Sequence, residues 1–155
     1  MGGKTYFFIM AYEFKAVRRV EFSETDMAGI MHFSNFFRFM ETAEHGFFRS
    51  LGFSIAPEPS ETAVGWPRVH AQCDFKAPLR FEDMVEIHLL VREKKSKALS
   101  YLFKFSRINS GLPMEVARGT VTVVCVRHEG AKMTACAIPK TVADKIDQAP
   151  PEALL

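Results

Sequence analysis

The segment ETDMAGIMHFSN, residues 24–35, carries the groups with the clearest chemical potential, and it lies directly before a long apolar stretch. A helix that begins at the end of this segment would present free backbone N–H groups and the positive end of its dipole to an anion or a carbonyl oxygen. Asp26 lies one short loop upstream, and Gly29 lets the loop turn or approach a ligand closely. A carboxylate opposite such an N–H group is the minimum set of groups for acyl transfer.

When only residue types and their spacing are considered, structural roles also explain these residues. Asp and Gly are common in turns before helices, and a single His among apolar neighbours, such as His32, is more often a hydrogen-bonded structural residue than a catalyst. An aromatic stripe is more often core than a cofactor site, and Glu41, Glu44 and His45 are expected to form an exposed helical face.

Residues 35–51 are predicted to form the element that positions this chemistry, a long helix. Its apolar residues recur at spacings of three and four, which places them on one face: Phe36, Met40, Ala43, Phe47 and Leu51. Phe37 and Phe48 widen that face beyond one packing surface, so the helix should be wrapped by other elements. Ser34 or Asn35 is the expected cap at its start, and Gly52 the expected stop.

Strands are predicted for most of the remaining chain. The predicted strands are 67–76, 84–93, 98–108 and 116–127, after an extended segment at 6–22. The short loops at 94–97 and 109–112 predict antiparallel hairpins. Residues 140–147 are expected to form a short helix and residues 149–155 to fray. One long apolar helix followed by four strands predicts an α+β fold in which a curved antiparallel sheet covers the helix.

Composition excludes several classes of protein. The 155 residues carry 20 basic and 18 acidic side chains, a balance too even for a nucleic-acid binder. No nucleotide-binding motif occurs, and the five histidines have no paired spacing, so neither a cofactor nor a metal site is expected. Three widely spaced cysteines favour a reducing cytoplasm, and the short apolar run near the N-terminus predicts neither export nor membrane insertion.

A family resemblance adds to this interpretation. Residues 21–52, EFSETDMAGIMHFSNFFRFMETAEHGFFRSLG, resemble the opening of the 4-hydroxybenzoyl-CoA thioesterase family of hotdog-fold proteins. That opening is a strand, T-D-x-x-G with two hydrophobic residues, an aromatic residue and Asn, then a long helix ending in Leu-Gly. Residues 74–83, DFKAPLRFED, resemble the family's entry to a central strand, and an Ala-x-Gly before a Val-rich strand, followed by Ile138-Pro139, resembles its close. The similarity covers about residues 12–146.

The resemblance implies one hotdog domain over residues 1–155, with the long helix wrapped by about five antiparallel strands. It also implies a homodimer or homotetramer whose sheets pair edge to edge, with an active site between two subunits. Asp26 matches the catalytic carboxylate of the family, and the backbone N–H of Phe33 matches the group that polarises the thioester carbonyl. The expected substrate-binding residues are Gly29, His32, Asn35, Phe36 and Trp66. Many members carry Tyr-His where this chain has His32-Phe33.

The function implied is that of an acyl-CoA thioesterase, which hydrolyses a CoA or acyl-carrier-protein thioester to the free acid. Asp26 would act as nucleophile or as general base on water. Two alternatives stay open. Hotdog hydratases and dehydratases place a His five residues after the catalytic Asp, whereas His32 is six residues after Asp26. A non-catalytic acyl-thioester binding protein would use the same fold without hydrolysis.

Overall fold

The computed structural model describes residues 11–60 and 62–155. The elements are β1 (Glu13–Arg19), α1 (Ser34–Ser50), β2 (Arg68–Phe75), β3 (Met84–Lys94), β4 (Ala98–Arg107), β5 (Met114–Val124), β6 (Val126–Glu129), β7 (Lys132–Ala135) and α2 (Lys140–Ala143). β1 to β5 form one antiparallel sheet in the order β1-β3-β4-β5-β2, and α1 packs against its β1, β2 and β3 strands. The predicted α+β arrangement is therefore confirmed.

The helix α1 buries the face that the sequence predicts. Phe36, Met40, Ala43 and Phe47 are all buried against the sheet. A close approach to β5 is possible because Gly119 has no side chain: a Cβ placed there would lie 2.5 Å from the Met40 sulfur. The helix begins one residue earlier than predicted, at Ser34. It ends before Gly52, whose φ of +89° is the left-handed conformation that Gly adopts without strain.

The strands fall within or close to the predicted segments, with two differences. Residues 6–10 of the first predicted strand lie outside the described residues, and β1 covers only Glu13–Arg19. The fourth predicted strand, 116–127, is divided: β5 ends at Val124, and residues 126–135 form the separate hairpin β6–β7. That hairpin was missed because its residues, Val126 excepted, are exposed, so no apolar alternation marks it.

The expectation that residues 149–155 fray is wrong. The Ala149 N–H donates to the Val91 carbonyl at 2.7 Å, and Lys104 Nζ donates to the Ala153 carbonyl at 2.9 Å. Pro151–Leu154 forms a 3-10 turn, and this C-terminal segment packs over Leu90 and Leu102 on the sheet face opposite α1. The segment is ordered because it buries an apolar patch of the outer sheet face. The predicted helix over 140–147 is shorter than expected, Lys140–Ala143.

The strand β2 is an edge of the sheet and is exposed on both faces. One side of β2 pairs with β5, and no described strand pairs with its other side. Only Cys73 of its eight residues is half-buried, while Val69 is 63% and Phe75 50% exposed. An unpaired edge with apolar side chains is a surface on which another strand can pair. No described helix is long and apolar enough to cross a membrane.

Candidate active site

The loop that carries Asp26 is a tight turn held by its own backbone. Thr25 and Met31 form an antiparallel bridge, and the Asp26 N–H donates to the Ile30 carbonyl at 2.9 Å. The Gly29 N–H donates back to the Asp26 carbonyl at 3.0 Å, with Gly29 at a φ of +76°. Gly29 therefore shapes the turn, since few other residues adopt this conformation without strain.

The turn is fixed to the start of α1 by Glu24 and Asn35. The Glu24 carbonyl accepts the His32 N–H and the Asn35 side-chain amide, both at 2.8 Å. Met31 N–H donates to the Leu79 carbonyl at 2.7 Å, which ties the same loop to the segment before β3. Asn35 is buried and its side-chain amide donates this bond, so it fixes the loop to α1. Its expected contact with substrate stays a prediction.

Asp26 has one carboxylate oxygen engaged and one available. Its Oδ1 accepts the Ala28 N–H at 2.9 Å, and Oδ2 has no hydrogen-bond partner among the described residues. The half-buried side chain lines a pocket of about 490 Å³. The other lining residues are Ile30, Met31, Phe33, Phe36, Phe75, Lys76, Ala77, Pro78 and Leu79. A carboxylate with a free oxygen at the wall of an open apolar pocket is available to a ligand.

The start of α1 leaves one N–H group free beside this pocket. Phe33 is the first residue of the helical turn, with φ −55° and ψ −32°, and its N–H donates no hydrogen bond to any described residue. The Ser34 N–H donates to His32 Nδ1 at 3.3 Å, and the Asn35 N–H donates to the His32 carbonyl at 2.9 Å. The expected side-chain cap from Ser34 or Asn35 is absent from this helix start, and the His32 ring supplies an acceptor instead.

Aromatic rings form the apolar side of the pocket. The Phe36 ring packs edge-to-face on Phe75 (centroids 5.1 Å apart) and on Phe105 (5.2 Å), which joins the pocket wall to the core. The exposed His32 ring stacks on Phe33 at 4.7 Å. The Lys76 ammonium at the rim forms an ion pair with Glu115. The pocket therefore combines a carboxylate and an N–H donor with flat apolar walls.

Trp66 does not line the Asp26 pocket. Its ring is buried against Phe48, with centroids 5.4 Å apart, and it lines a different pocket together with Phe53 and Pro139. This is the arrangement within one chain, and the expected contact of Trp66 with substrate stays a prediction. The fold brings together the other predicted residues: Asp26, Phe33 and Phe36 line one pocket, with Gly29, His32 and Asn35 holding its loop.

Glu44 does not lie on the exposed helical face that its sequence position predicts, but is buried against the sheet. It is 1% exposed, not on a solvated face, and its Oε1 accepts from Arg68 Nη2 at 2.7 Å. Burial raises the pKa of Glu44 to about 7, although the Arg68 guanidinium acts in the opposite direction. A signal was present, because Glu44 lies four residues after Met40 on the apolar stripe. Its partner Arg68 is 24 residues away and could not be paired from sequence.

No cluster of three His, Cys, Asp or Glu side chains is placed to hold a metal ion within residues 11–60 and 62–155.

Comparison with known proteins places this geometry in a family. A protein of Aquifex aeolicus (strain VF5) is 35% identical over 127 residues, which is 82% of this chain and 92% of that protein. The 4-hydroxybenzoyl-CoA thioesterase of Pseudomonas sp. (strain CBS-3) is 26% identical over 84% of this chain and 94% of its own length. A 1,4-dihydroxy-2-naphthoyl-CoA hydrolase of Parasynechococcus marenigrum (strain WH8102) is 35% identical over 48% of this chain and 54% of its own.

Solved structures agree with these relatives. A gentisyl-coenzyme A thioesterase is 34% identical with a TM-score of 0.68, over 83% of this chain and 98% of that one. A 4-hydroxybenzoyl CoA thioesterase complexed with 4-hydroxybenzoyl CoA superposes with a TM-score of 0.77 at 21% identity, over 88% of this chain and all of that one. The predicted hotdog fold is confirmed. Residues 20–148 match the model of the thioesterase-like superfamily, and the chain belongs to that superfamily.

Proposed function

We propose that this protein hydrolyses aromatic acyl-CoA thioesters, with Asp26 as the catalytic carboxylate and the Phe33 backbone N–H as the group that polarises the carbonyl. One observation carries the proposal: a single pocket is lined by a carboxylate with an unengaged oxygen and by the residue whose N–H is free at the start of a 17-residue helix. The general class, thioester hydrolysis, is that of the superfamily to which the chain belongs.

The mechanism follows from the charge that develops during thioester cleavage. Attack on the carbonyl carbon moves negative charge onto its oxygen, and the Phe33 N–H at the positive end of the α1 dipole stabilises that charge. Asp26 either attacks the carbon itself or removes a proton from an attacking water. In the first route the C–S bond breaks, CoA leaves as thiolate and takes up a proton, and water then hydrolyses the acyl–Asp26 anhydride. Both routes yield the free acid and CoA.

An aromatic acyl group fits the pocket best. Phe33, Phe36 and Phe75 present rings to the pocket, and aromatic pairs prefer the edge-to-face and offset packing that such walls offer to another ring. The named activities of the relatives point the same way, since 4-hydroxybenzoyl, 1,4-dihydroxy-2-naphthoyl and gentisyl groups are all aromatic.

The exposed edge of β2 supports an assembly in which two copies of the chain pair through this strand. β2 has an unpaired edge and exposed Val69 and Phe75, and antiparallel pairing with a second β2 would bury both. The three cysteines are free thiols, which supports the proposed location in a reducing cytoplasm.

Asp26→Asn tests the proposal on purified protein with acetyl-CoA, a long-chain acyl-CoA and benzoyl-CoA. We expect benzoyl-CoA to be the best of the three wild-type substrates and the variant to lose about 10²–10⁴ in kcat, the usual contribution of a positioned acid–base group. Asp83→Asn is the matched control, because Asp83 also accepts a backbone N–H, from Arg80 at 2.8 Å, but does not line the pocket.

Three results would contradict the proposal. Wild-type turnover in Asp26→Asn would reject Asp26 as the catalytic group. Tight binding of acyl-CoA by the wild-type protein without hydrolysis would indicate a binding protein. Hydration of an enoyl-CoA in place of hydrolysis would indicate a hotdog hydratase.

A further inference from the structure

Two of the three cysteines face each other at the base of the β6–β7 hairpin. Cys125 Sγ lies 3.7 Å from Cys136 Sγ, and the Cys136 N–H donates to the Cys125 carbonyl at 2.9 Å. The two residues directly continue the pairing of Val126 with Ala135, and both are free thiols. Because a disulfide bond is about 2.05 Å long, a further approach of about 1.7 Å would join the two sulfurs.

The backbone on both sides of this cysteine pair is anchored to the turn between β3 and β4. The Cys125 N–H donates to the Lys97 carbonyl at 2.8 Å. The Ile138 N–H, two residues after Cys136, donates to the Ser96 carbonyl at 2.8 Å. Hydrogen-bonded backbone therefore holds the two thiols opposite each other. Two reacting groups that are held in contact react far faster than the same groups free in solution.

The two thiols differ in their access to solvent. Cys125 is completely buried, whereas Cys136 is half-buried and can be reached from outside. Burial, together with the neighbouring Cys136, raises the pKa of the Cys125 thiol to about 12, so Cys125 stays protonated at neutral pH. Since the thiolate is the form that attacks an oxidant, Cys136 is the thiol that reacts first and Cys125 is the one that resolves the product.

The third cysteine, Cys73, does not belong to this pair. It lies on β2 opposite Gly119, which precedes Cys125 by six residues in the chain. Six residues of extended chain span roughly 20 Å, so neither thiol of the pair is within reach of Cys73. Cys73 therefore provides an internal control for the oxidation of thiols in this protein.

We propose that Cys125 and Cys136 form a redox-sensitive pair that a hydroperoxide converts into an intramolecular disulfide. The Cys136 sulfur attacks the O–O bond of hydrogen peroxide, which gives the Cys136 sulfenic acid and one water molecule. The Cys125 sulfur then bonds to the Cys136 sulfur, the S–O bond breaks, and the leaving hydroxyl takes the Cys125 proton as a second water. The two thiols lose two electrons, and the peroxide gains them. A dithiol reverses the change by thiol–disulfide exchange.

The bond ties the end of β5 to the segment that follows β7. It closes a ring around the β6–β7 hairpin, whose strand residues are all exposed except Val126. A disulfide restricts the unfolded chain, so the oxidised protein should unfold at a higher temperature than the reduced one. Neither Cys125 nor Cys136 lines the Asp26 pocket, so the pair is independent of the proposed function.

Treatment of the purified, reduced full-length protein with hydrogen peroxide tests the pair. We expect two of the three thiols to resist alkylation and a proteolytic fragment to link Cys125 with Cys136. The mass should fall by about 2 Da, that of two hydrogens, and the midpoint of thermal unfolding should rise by roughly 5–10 °C. Dithiothreitol should reverse all of these changes. Cys73→Ser, the matched control, should behave like the wild type, whereas Cys136→Ser should form no internal disulfide and show no rise.

Cys125→Ala provides a second, independent measurement. Without the resolving thiol, the Cys136 sulfenic acid should persist and be trapped by dimedone, and an absence of trapping would overturn the proposal. Three results with the wild type overturn it as well: all thiols stay free, oxygen is added to Cys136 without a bond to Cys125, or the only disulfide joins Cys73 of two chains. Circular dichroism of the reduced variants checks their folding, and mapping of the wild-type disulfide decides the proposal even if both variants unfold.

Discussion

The two acidic residues associated with α1 lie in opposite environments. Asp26 is half-buried in a polar turn, accepts a backbone N–H and keeps one oxygen free toward an open pocket. Glu44 is 1% exposed, packs among apolar side chains and pairs with the Arg68 guanidinium. The same functional group thus lines an open pocket before the helix start and is held close to neutrality at the helix middle. Burial and partners, rather than residue type, decide what a carboxylate does.

This contrast predicts that changes near Asp26 alter rate more than stability, while changes at Glu44 alter the dependence of stability on pH. The variants below test that division in order of expected effect.

The largest effect is expected from Phe33→Pro. The φ of −55° at Phe33 suits proline, and its N–H has no described partner, so the substitution removes the donor with little change in backbone geometry. We expect kcat to fall by about 10²–10³, the usual cost of losing one oxyanion donor. Phe33→Ala keeps the N–H and removes only the ring. Equal kcat in the two variants would show that the N–H contributes nothing.

The pH dependence of stability is the next largest effect, and it belongs to Glu44. In the folded protein the Glu44 carboxyl stays protonated up to about pH 7, because its pKa is raised to about 7 from the ordinary 4.5. The folded state therefore binds more protons than the unfolded state between these values. The resulting stabilisation is complete below about pH 4.5 and is lost as the pH rises through 7.

Wild-type stability relative to Glu44→Gln should therefore fall by about 3 kcal/mol between pH 4.5 and 7, at 1.36 kcal/mol per pKa unit. Urea unfolding of both proteins across pH 4.5–8 measures this difference. A difference that does not change with pH would mean that Glu44 is charged throughout.

A smaller effect is expected from Asn35→Ala. The variant loses the 2.8 Å bond to the Glu24 carbonyl and leaves this half-buried acceptor with the His32 N–H alone, at a cost of about 1–2 kcal/mol. Because this bond fixes the Asp26 turn to α1, kcat should fall as well. Asn109→Ala loses a comparable bond, to the Met84 N–H at 3.0 Å, away from the pocket. If both variants lose stability but neither loses activity, Asn35 does not position the catalytic loop.

The smallest effect is expected from Gly29→Ala. Gly29 and Gly130 both have positive φ, +76° and +65°, and a Cβ would meet no atom within 4 Å at either position. Each alanine should therefore cost about 1 kcal/mol of backbone strain. Thermal unfolding should show similar losses, whereas only the Gly29 variant should change acyl-CoA hydrolysis. Equal kinetics in the two variants would show that the turn tolerates displacement of Asp26.

The sequence predicted the parts of the molecule that depend on local spacing. The α1 face, the Gly52 stop and the lining of one pocket by Asp26 and Phe33 all follow from residues within about one turn or loop of each other. The Glu44–Arg68 pair and the contact of residues 149–155 with β3 and β4 depend on chain segments that only the tertiary fold brings together. Trp66 was assigned from its type, and its place beside Phe48 was set by the packing of the loop before β2.

The C-terminal turn over Leu90 and Leu102 has a consequence for how larger assemblies can grow. Stacking two sheets back to back would require this turn to be displaced, because the turn already covers the apolar patch that such a contact would bury. Edge-to-edge growth through β2 leaves the turn undisturbed. Among residues 11–60 and 62–155, the chain thus covers an apolar patch of the outer sheet face with its own C-terminal turn and leaves the β2 edge without a partner strand.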